Sequence, residues 1–109
     1  MPSVTPDEDK LFQALADSSR RAILQSLTQG EAAVRDLKAR FDLSQPAISQ
    51  HLAVLKDAGL VVSRREGRLV YYRVEPQGMR PLFDWLTHYR FFWSERATRL
   101  EQLLDRMDE

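Results

Sequence analysis

Leu43-Ser44-Gln45-Pro46-Ala47-Ile48-Ser49-Gln50-His51-Leu52-Ala53-Val54-Leu55-Lys56-Asp57-Ala58-Gly59 decides how the chain folds. Ser44 is placed to cap a helix, Pro46 falls in the first turn where its missing N–H is tolerated, and Gly59 ends the run. Ile48, Leu52 and Leu55 recur at the spacing of one helix face and turn that face to a core. Pro46, Ser49, Gln50, Ala53 and Val54 then fall on the opposite or lateral face, which is polar near its start and small further on. His51 lies on the flank of the apolar stripe. It reads first as a packing or hydrogen-bonding histidine and second as a phosphate contact.

Upstream, Asp42 and Leu43 make a short connection to a helix from about Glu31 to Phe41, with Val34, Leu37 and Phe41 on one face. Before it, Asp17 or Ser18 caps a helix carrying Ile23, Leu24 and Leu27, which Gly30 stops. The first helix spans about residues 6–16. Thr5 serves as its cap, Pro6 fits its first position, Glu8 completes a capping box, and Leu11, Phe12 and Leu15 form its stripe. Downstream the period changes from helical to alternating. Val61-Val62-Ser63-Arg64 and Leu69-Val70-Tyr71-Tyr72-Arg73-Val74 flank the loop Arg65-Glu66-Gly67-Arg68, which predicts a β-hairpin with a basic tip over about 61–74. Pro76, Gly78 and Pro81 lead into a long final helix, about 81–107.

The expected architecture is a single domain over residues 1–109, mainly α with a small β-hairpin, in the order α-α-α-α-β-β-α. Two helices joined by a tight turn over about 31–58, followed by a hairpin, form a winged helix-turn-helix. A chain of 109 residues supports one core. The absence of cysteine excludes disulfides, thiolate metal sites, iron–sulfur clusters and cysteine nucleophiles. The opening MPSVTPDEDK is acidic and has no apolar segment, and no apolar run reaches the roughly 20 residues of a membrane span. A cytoplasmic protein without a membrane partner is expected.

Sixteen basic residues balance sixteen acidic ones, which on its own argues against a nucleic-acid partner. The distribution says otherwise. Residues 1–33 carry three basic against five acidic groups, residues 34–73 eight against four, and residues 74–109 five against seven. The net charges are therefore −2, +4 and −2, and the positive block coincides with the helix-turn-helix and hairpin. On the outer helix face, Ser49 and Gln50 suit base edges, and Ser44, Gln45 and Pro46 form a helix start that suits a phosphate. Arg64, Arg65, Arg68 and Arg73 suit phosphates or a minor groove. His51 completes the candidate DNA-binding set.

Several segments, in order, resemble the ArsR/SmtB-type winged-helix repressors. These are Ala14-Leu15-Ala16-Asp17-Ser18-Ser19-Arg20-Arg21-Ala22-Ile23-Leu24, Leu43 through Leu52, Leu55-Lys56-Asp57-Ala58-Gly59-Leu60-Val61, and Arg64 through Tyr72. The resemblance covers roughly residues 11–75. It implies a dimeric repressor that binds an imperfect inverted repeat in a promoter, one recognition helix per protomer entering successive major grooves, with repression of its own gene among the roles the resemblance offers.

Metal sensors of that family carry two cysteines in a Glu-Leu-Cys-Val-Cys-Asp-Leu stretch. This chain reads Glu31-Ala32-Ala33-Val34-Arg35-Asp36-Leu37, so Ala33 and Arg35 stand where the thiolates would be. A second family site uses an Asp-x-His pair and a later histidine pair or His-x-x-Glu pair on the final helix. Asp84, His88 and Glu95 do not match that spacing. The resemblance is thus to the cysteine-free, non-metal-sensing branch, and no metal or cofactor is expected.

Six of the ten aromatic residues, Phe83, Trp85, Tyr89, Phe91, Phe92 and Trp93, fall in one short stretch. They point in several directions, so one core cannot bury them all. A homodimer interface is expected from Leu11, Phe12, Leu82, Phe83, Trp85, Leu86, Tyr89, Phe92 and Trp93, with the first and last helices side by side. Two alternatives stay open: a winged-helix module for protein–protein contact, and a repressor released by a small molecule or metal at the C-terminal helices. No Gly-rich phosphate loop, metal cluster or plausible triad points to an enzyme.

Overall fold

Asp17 and its two following arginines set the first corner of the molecule. In the computed structural model, which describes residues 6–107, α1 runs over Pro6–Leu15 and α2 over Ser18–Leu27. The Thr5 cap and its capping box lie outside the described residues, as do the side chains at 6, 7, 91, 93–95 and 97. Asp17 caps α2, its carboxylate accepting from the Arg20 N–H at 3.0 Å. Arg20 then reaches back to the end of α1, Nε donating to the Ala14 carbonyl at 2.8 Å and Nη2 to that of Gln13 at 3.1 Å. Arg21 donates to the Leu15 carbonyl at 2.7 Å. Three of the last four carbonyls of α1 thereby accept from cations, which also suit the negative end of the helix dipole, Gln13 accepting from the Ala16 N–H as well.

Beyond α2 the chain departs from the expected single helix over 31–41. Ala32–Ala33 form a short strand, β1, and α3 begins at Val34, spanning Val34–Arg40. Ala33 and Ala32 pair antiparallel with Tyr71 and Tyr72. Asp36 accepts from the Ala33 N–H at 3.0 Å and fixes the start of α3. The helix α4, Gln45–Asp57, begins as expected, with Ser44 Oγ accepting from the Ala47 N–H at 3.2 Å. It ends in a Schellman turn, Leu60 N–H donating to the Leu55 carbonyl and Gly59 N–H to that of Lys56, both at 2.9 Å. Gly59 takes the left-handed φ of +77° that this turn requires.

Strand β3, Leu69–Val74, spans the expected residues, but β2, Val61–Glu66, is two residues longer and the loop correspondingly shorter than expected. Arg65 pairs with Val70 and Glu66 with Leu69, leaving only Gly67 and Arg68 in the turn. Two more ladder pairs replace what a four-residue loop would leave to solvent. The sheet order is β1-β3-β2. Leu11, Ile23, Leu37, Ile48, Leu52, Leu55, Leu60 and Val61 are fully buried and draw α1 to α4 and the sheet into one core. Each such burial is worth roughly 1.5–3 kcal/mol.

The expected long helix over 81–107 is two helices, α5 (Arg80–Thr87) and α6 (Arg90–Met107), after a 3-10 turn at Pro76–Met79. Thr87 lies at the break. Its hydroxyl donates to the Asp84 carbonyl at 2.7 Å, the acceptor His88 N–H would use in a continuous helix. His88 N–H turns instead to the Trp85 carbonyl and Tyr89 N–H to that of Leu86. The radius of gyration, 16.9 Å, exceeds the roughly 13 Å of a compact chain this long, because α6 projects from the core. No helix among the described residues is long and apolar enough to cross a membrane.

Candidate nucleic-acid interface

Burying Ile48, Leu52 and Leu55 completely forces the opposite side of α4 outward. Ser44, Gln45, Pro46, Ser49 and Gln50 are all exposed there. Val54, on the opposite or lateral face by periodicity, takes the lateral position, partly buried against the core. His51 is half-buried, and its Nδ1 lies 3.4 Å from Arg20 Nη1. Since arginine only donates, Nδ1 takes the acceptor role in this contact. His51 thus joins α4 to the α1–α2 corner, as a hydrogen-bonding histidine does. The same corner holds the Asp17 carboxyl below its ordinary value of 3.8. The Arg20 backbone N–H is the main cause, with the Arg20 charge adding to it against partial burial.

The wing does not present its arginines as one patch. Cross-strand pairing places Arg65 on the face shared by Val61, Ser63, Tyr72 and Val74, and Arg64 with Tyr71 and Arg73 on the other. Lys56 donates to Ser63 Oγ at 2.8 Å, so the first of these faces is the one toward α4. Arg65 and Arg68 stand exposed near the turn. Arg73 is paired with Val62 near the wing's base, and its charge helps lower the Glu31 carboxyl.

Arg64 is already engaged. Its Nε donates to Glu31 Oε2 at 3.0 Å, Nη2 to Glu31 Oε1, and Nη1 to Glu66 Oε2 at 2.9 Å. Its guanidinium carbon stacks 4.8 Å from the centre of the Tyr71 ring. Hydrogen bonding from Arg64 holds the Glu31 carboxyl below its ordinary value, and the two carboxylates raise the Arg64 guanidinium above its own. Of the four wing arginines, Arg64 is the one committed to an internal network, tying β2 to the residue before β1. Composition alone did not distinguish it, because its partner is 33 residues away.

Between α3, the start of α4 and the wing turn lies an open cleft of about 250 Å³, lined by Val34, Arg35, Gln45, Arg68, Leu69 and Val70. Arg35 was weighed in the sequence only as a residue standing where a thiolate would be. The signal that could have found it is its place inside the basic central block.

At the C-terminal end, Asp84 accepts from Arg80 Nε at 2.9 Å, and no cluster of three potential metal ligands occurs among the described residues. Leu11 is 1% exposed and belongs to the protomer's own core, so it is not available to an interface as expected. Leu82 is partly buried against that core. Phe12 meets Trp85 edge-on at 5.6 Å, and Trp85 meets Tyr89 at 5.2 Å. Phe83, Leu86 and Phe92 remain exposed, and the side chains of Trp93 and Glu95 lie outside the described residues.

Known proteins share this sequence and geometry. The sequence pattern of bacterial regulatory proteins of the arsR family matches residues 17–63. The HTH-type transcriptional regulator Rv2034 of Mycobacterium tuberculosis is 42% identical over 97 residues, covering 89% of this chain and 88% of that protein. The arsenical resistance operon repressor of Escherichia coli is 46% identical over 68 residues, 62% of this chain and 58% of that one. Among solved structures, an ArsR family transcriptional regulator designated RHA00566 superposes with a TM-score of 0.75 at 30% identity, over 87% of this chain and 98% of that one.

Proposed function

The chain belongs to the ArsR family of winged-helix DNA-binding transcriptional regulators, and from that premise we propose that it is a homodimeric repressor of an inverted-repeat operator. The observation that carries the DNA reading is the two-sidedness of α4. Ile48, Leu52 and Leu55 are fully buried while Ser49 and Gln50 stand exposed, beside a wing whose Arg65 and Arg68 are also exposed. Gln50 offers the paired donor and acceptor that adenine takes in the major groove. Ser44, Gln45 and Pro46 open the helix toward the backbone, Arg65 and Arg68 hold phosphates from the wing, and Arg73 reinforces its base. His51 acts through its bond to Arg20, fixing the pose of α4.

The dimer rests on apolar surface that one protomer leaves open. Leu100, Leu103, Leu104 and Met107 recur at the spacing of one helix face on α6, and Leu103 is 49% and Met107 71% exposed. Phe83, at 61%, and Phe92 add to it. Phe12, Trp85, Leu86 and Tyr89 continue the surface onto α1 and α5. A second copy is the commonest way to cover such a face. The absence of cysteine removes the thiolate switch, so repression here answers to something other than a thiolate-bound metal.

The test is selection of duplexes from a random library followed by footprinting. The expected footprint has two protected half-sites related by a two-fold axis, about one helical turn apart. A single half-site, or no retained sequence, contradicts the proposal.

A further inference from the structure

The cleft between α3, α4 and the wing turn has a basic rim and an apolar floor. Arg35 from the first turn of α3 and Arg68 from the turn between β2 and β3 line it, with Gln45 at the first position of α4. Val34, Leu69 and Val70 supply apolar carbon between them. Arg35 Nε lies 4.0 Å from Asp36 Oδ1, and Asp36 Oδ2 already accepts from the Ala33 N–H. Among the described residues, neither the terminal nitrogens of Arg35 nor the guanidinium of Arg68 makes a hydrogen bond. The α4 N-terminus adds one donor. Pro46 has no N–H, Ala47 N–H is taken by Ser44 Oγ, and Gln45 N–H has no acceptor within the helix.

A deoxyribose-phosphate presents this chemistry in mirror image. Its phosphate needs convergent cationic donors, and its sugar carbons need an apolar seat. We propose that Arg35, Arg68 and the Gln45 N–H together hold one backbone phosphate of bound DNA, with the adjoining sugar resting on Val34, Leu69 and Val70. Arg35 is then a DNA-binding residue contributed by α3, an element outside the recognition helix and the wing. The site rests on the DNA-binding reading above and deepens it. Because it joins two elements across one phosphate, it fixes the angle at which α4 and the wing engage the duplex together.

The experiment measures duplex binding by fluorescence anisotropy across a salt series, using a selected operator and a random duplex. The proteins are wild type, Arg35→Ala, Arg35→Lys, Arg68→Ala, the Arg35→Ala/Arg68→Ala double variant, and Arg40→Ala. Arg40 is exposed on the same helix but bonded to Ser26 at 2.8 Å, away from the cleft. Arg35→Ala is expected to bind both duplexes about tenfold more weakly, with a salt slope smaller by about 1. Arg35→Lys should recover part of the affinity, and Arg40→Ala should keep the wild-type slope. The double variant should lose about one unit of slope rather than two, because both arginines serve one phosphate. Wild-type affinity and slope in Arg35→Ala would overturn the site and leave DNA binding standing. Additive slope losses would overturn the sharing of one phosphate. Failure of the wild type to bind any duplex at low salt would overturn the DNA-binding reading itself.

Discussion

Gly78 stands so close to Gly59 that a Cβ added at 78 would lie 1.9 Å from the Gly59 carbonyl oxygen. The contact is backbone against backbone, so no side chain can swing aside. It seats the turn before α5 on the end of α4, where Glu75 N–H also donates to the Leu60 carbonyl at 2.9 Å. Gly78→Ala should therefore destabilise the protein by about 3 kcal/mol, at the upper end of overpacking costs. Urea denaturation reads this as a lowered midpoint at similar slope; an unchanged midpoint would refute the close approach.

Arg20 serves two carbonyls of α1 and His51 of α4 with one guanidinium. Removing it by Arg20→Ala leaves helix-end carbonyls without a charged donor and should cost about 2–3 kcal/mol. Arg20→Lys should restore only part of this, because an ammonium lacks the planar fork that reaches separate acceptors. Equal stability of the two variants would contradict the geometric role.

Asp17 gives stability a pH dependence of definite sign. Its folded carboxyl lies below the unfolded value near 3.8, so its contribution is fully present above that value. It is lost as the pH falls through the lower, folded value. Asparagine is also a good helix cap. Asp17→Asn should thus melt close to wild type at pH 7 and lose less stability than wild type between pH 5 and pH 2. Parallel melting curves for the two proteins over that range would contradict this.

The helix-turn-helix was legible in the sequence because its boundaries are local. Ser44 and Asp17 cap within three residues, Gly59 closes a Schellman turn, and the buried leucines repeat at helical spacing. What stayed hidden depends on distant partners. Two alanines carry no strand signal, and Ala32–Ala33 become β1 only because Tyr71 and Tyr72 offer a sheet edge. At the α5–α6 break His88 and Tyr89 bond three residues back rather than four, a local tightening that periodicity cannot register. At the site, the outward face of α4 followed from the wheel. The division of the wing arginines did not, since Glu31 captures Arg64 through the tertiary fold. Leu11 was assigned to an interface for being apolar on an end helix, and the fold turned it into the core.

Leu103 tests the dimer. It is about half exposed in the protomer, so Leu103→Glu should fold normally. A charge on the α6 stripe should weaken self-association more than tenfold. Size exclusion with light scattering should give a dimer for wild type and a monomer for the variant at micromolar concentration. A wild-type monomer, or a variant dimer as tight as wild type, would contradict the α6 interface.

The most direct test of the central claim compares Gln50→Ala and Arg68→Ala with wild type on a selected operator and on a random duplex of equal length. If α4 reads bases, Gln50→Ala should lose about 1–3 kcal/mol on the operator and almost nothing on random DNA. Arg68→Ala should weaken both duplexes alike and reduce the salt slope by about 1. Equal losses on both duplexes for both variants would contradict the assignment of base reading to α4 and phosphate holding to the wing.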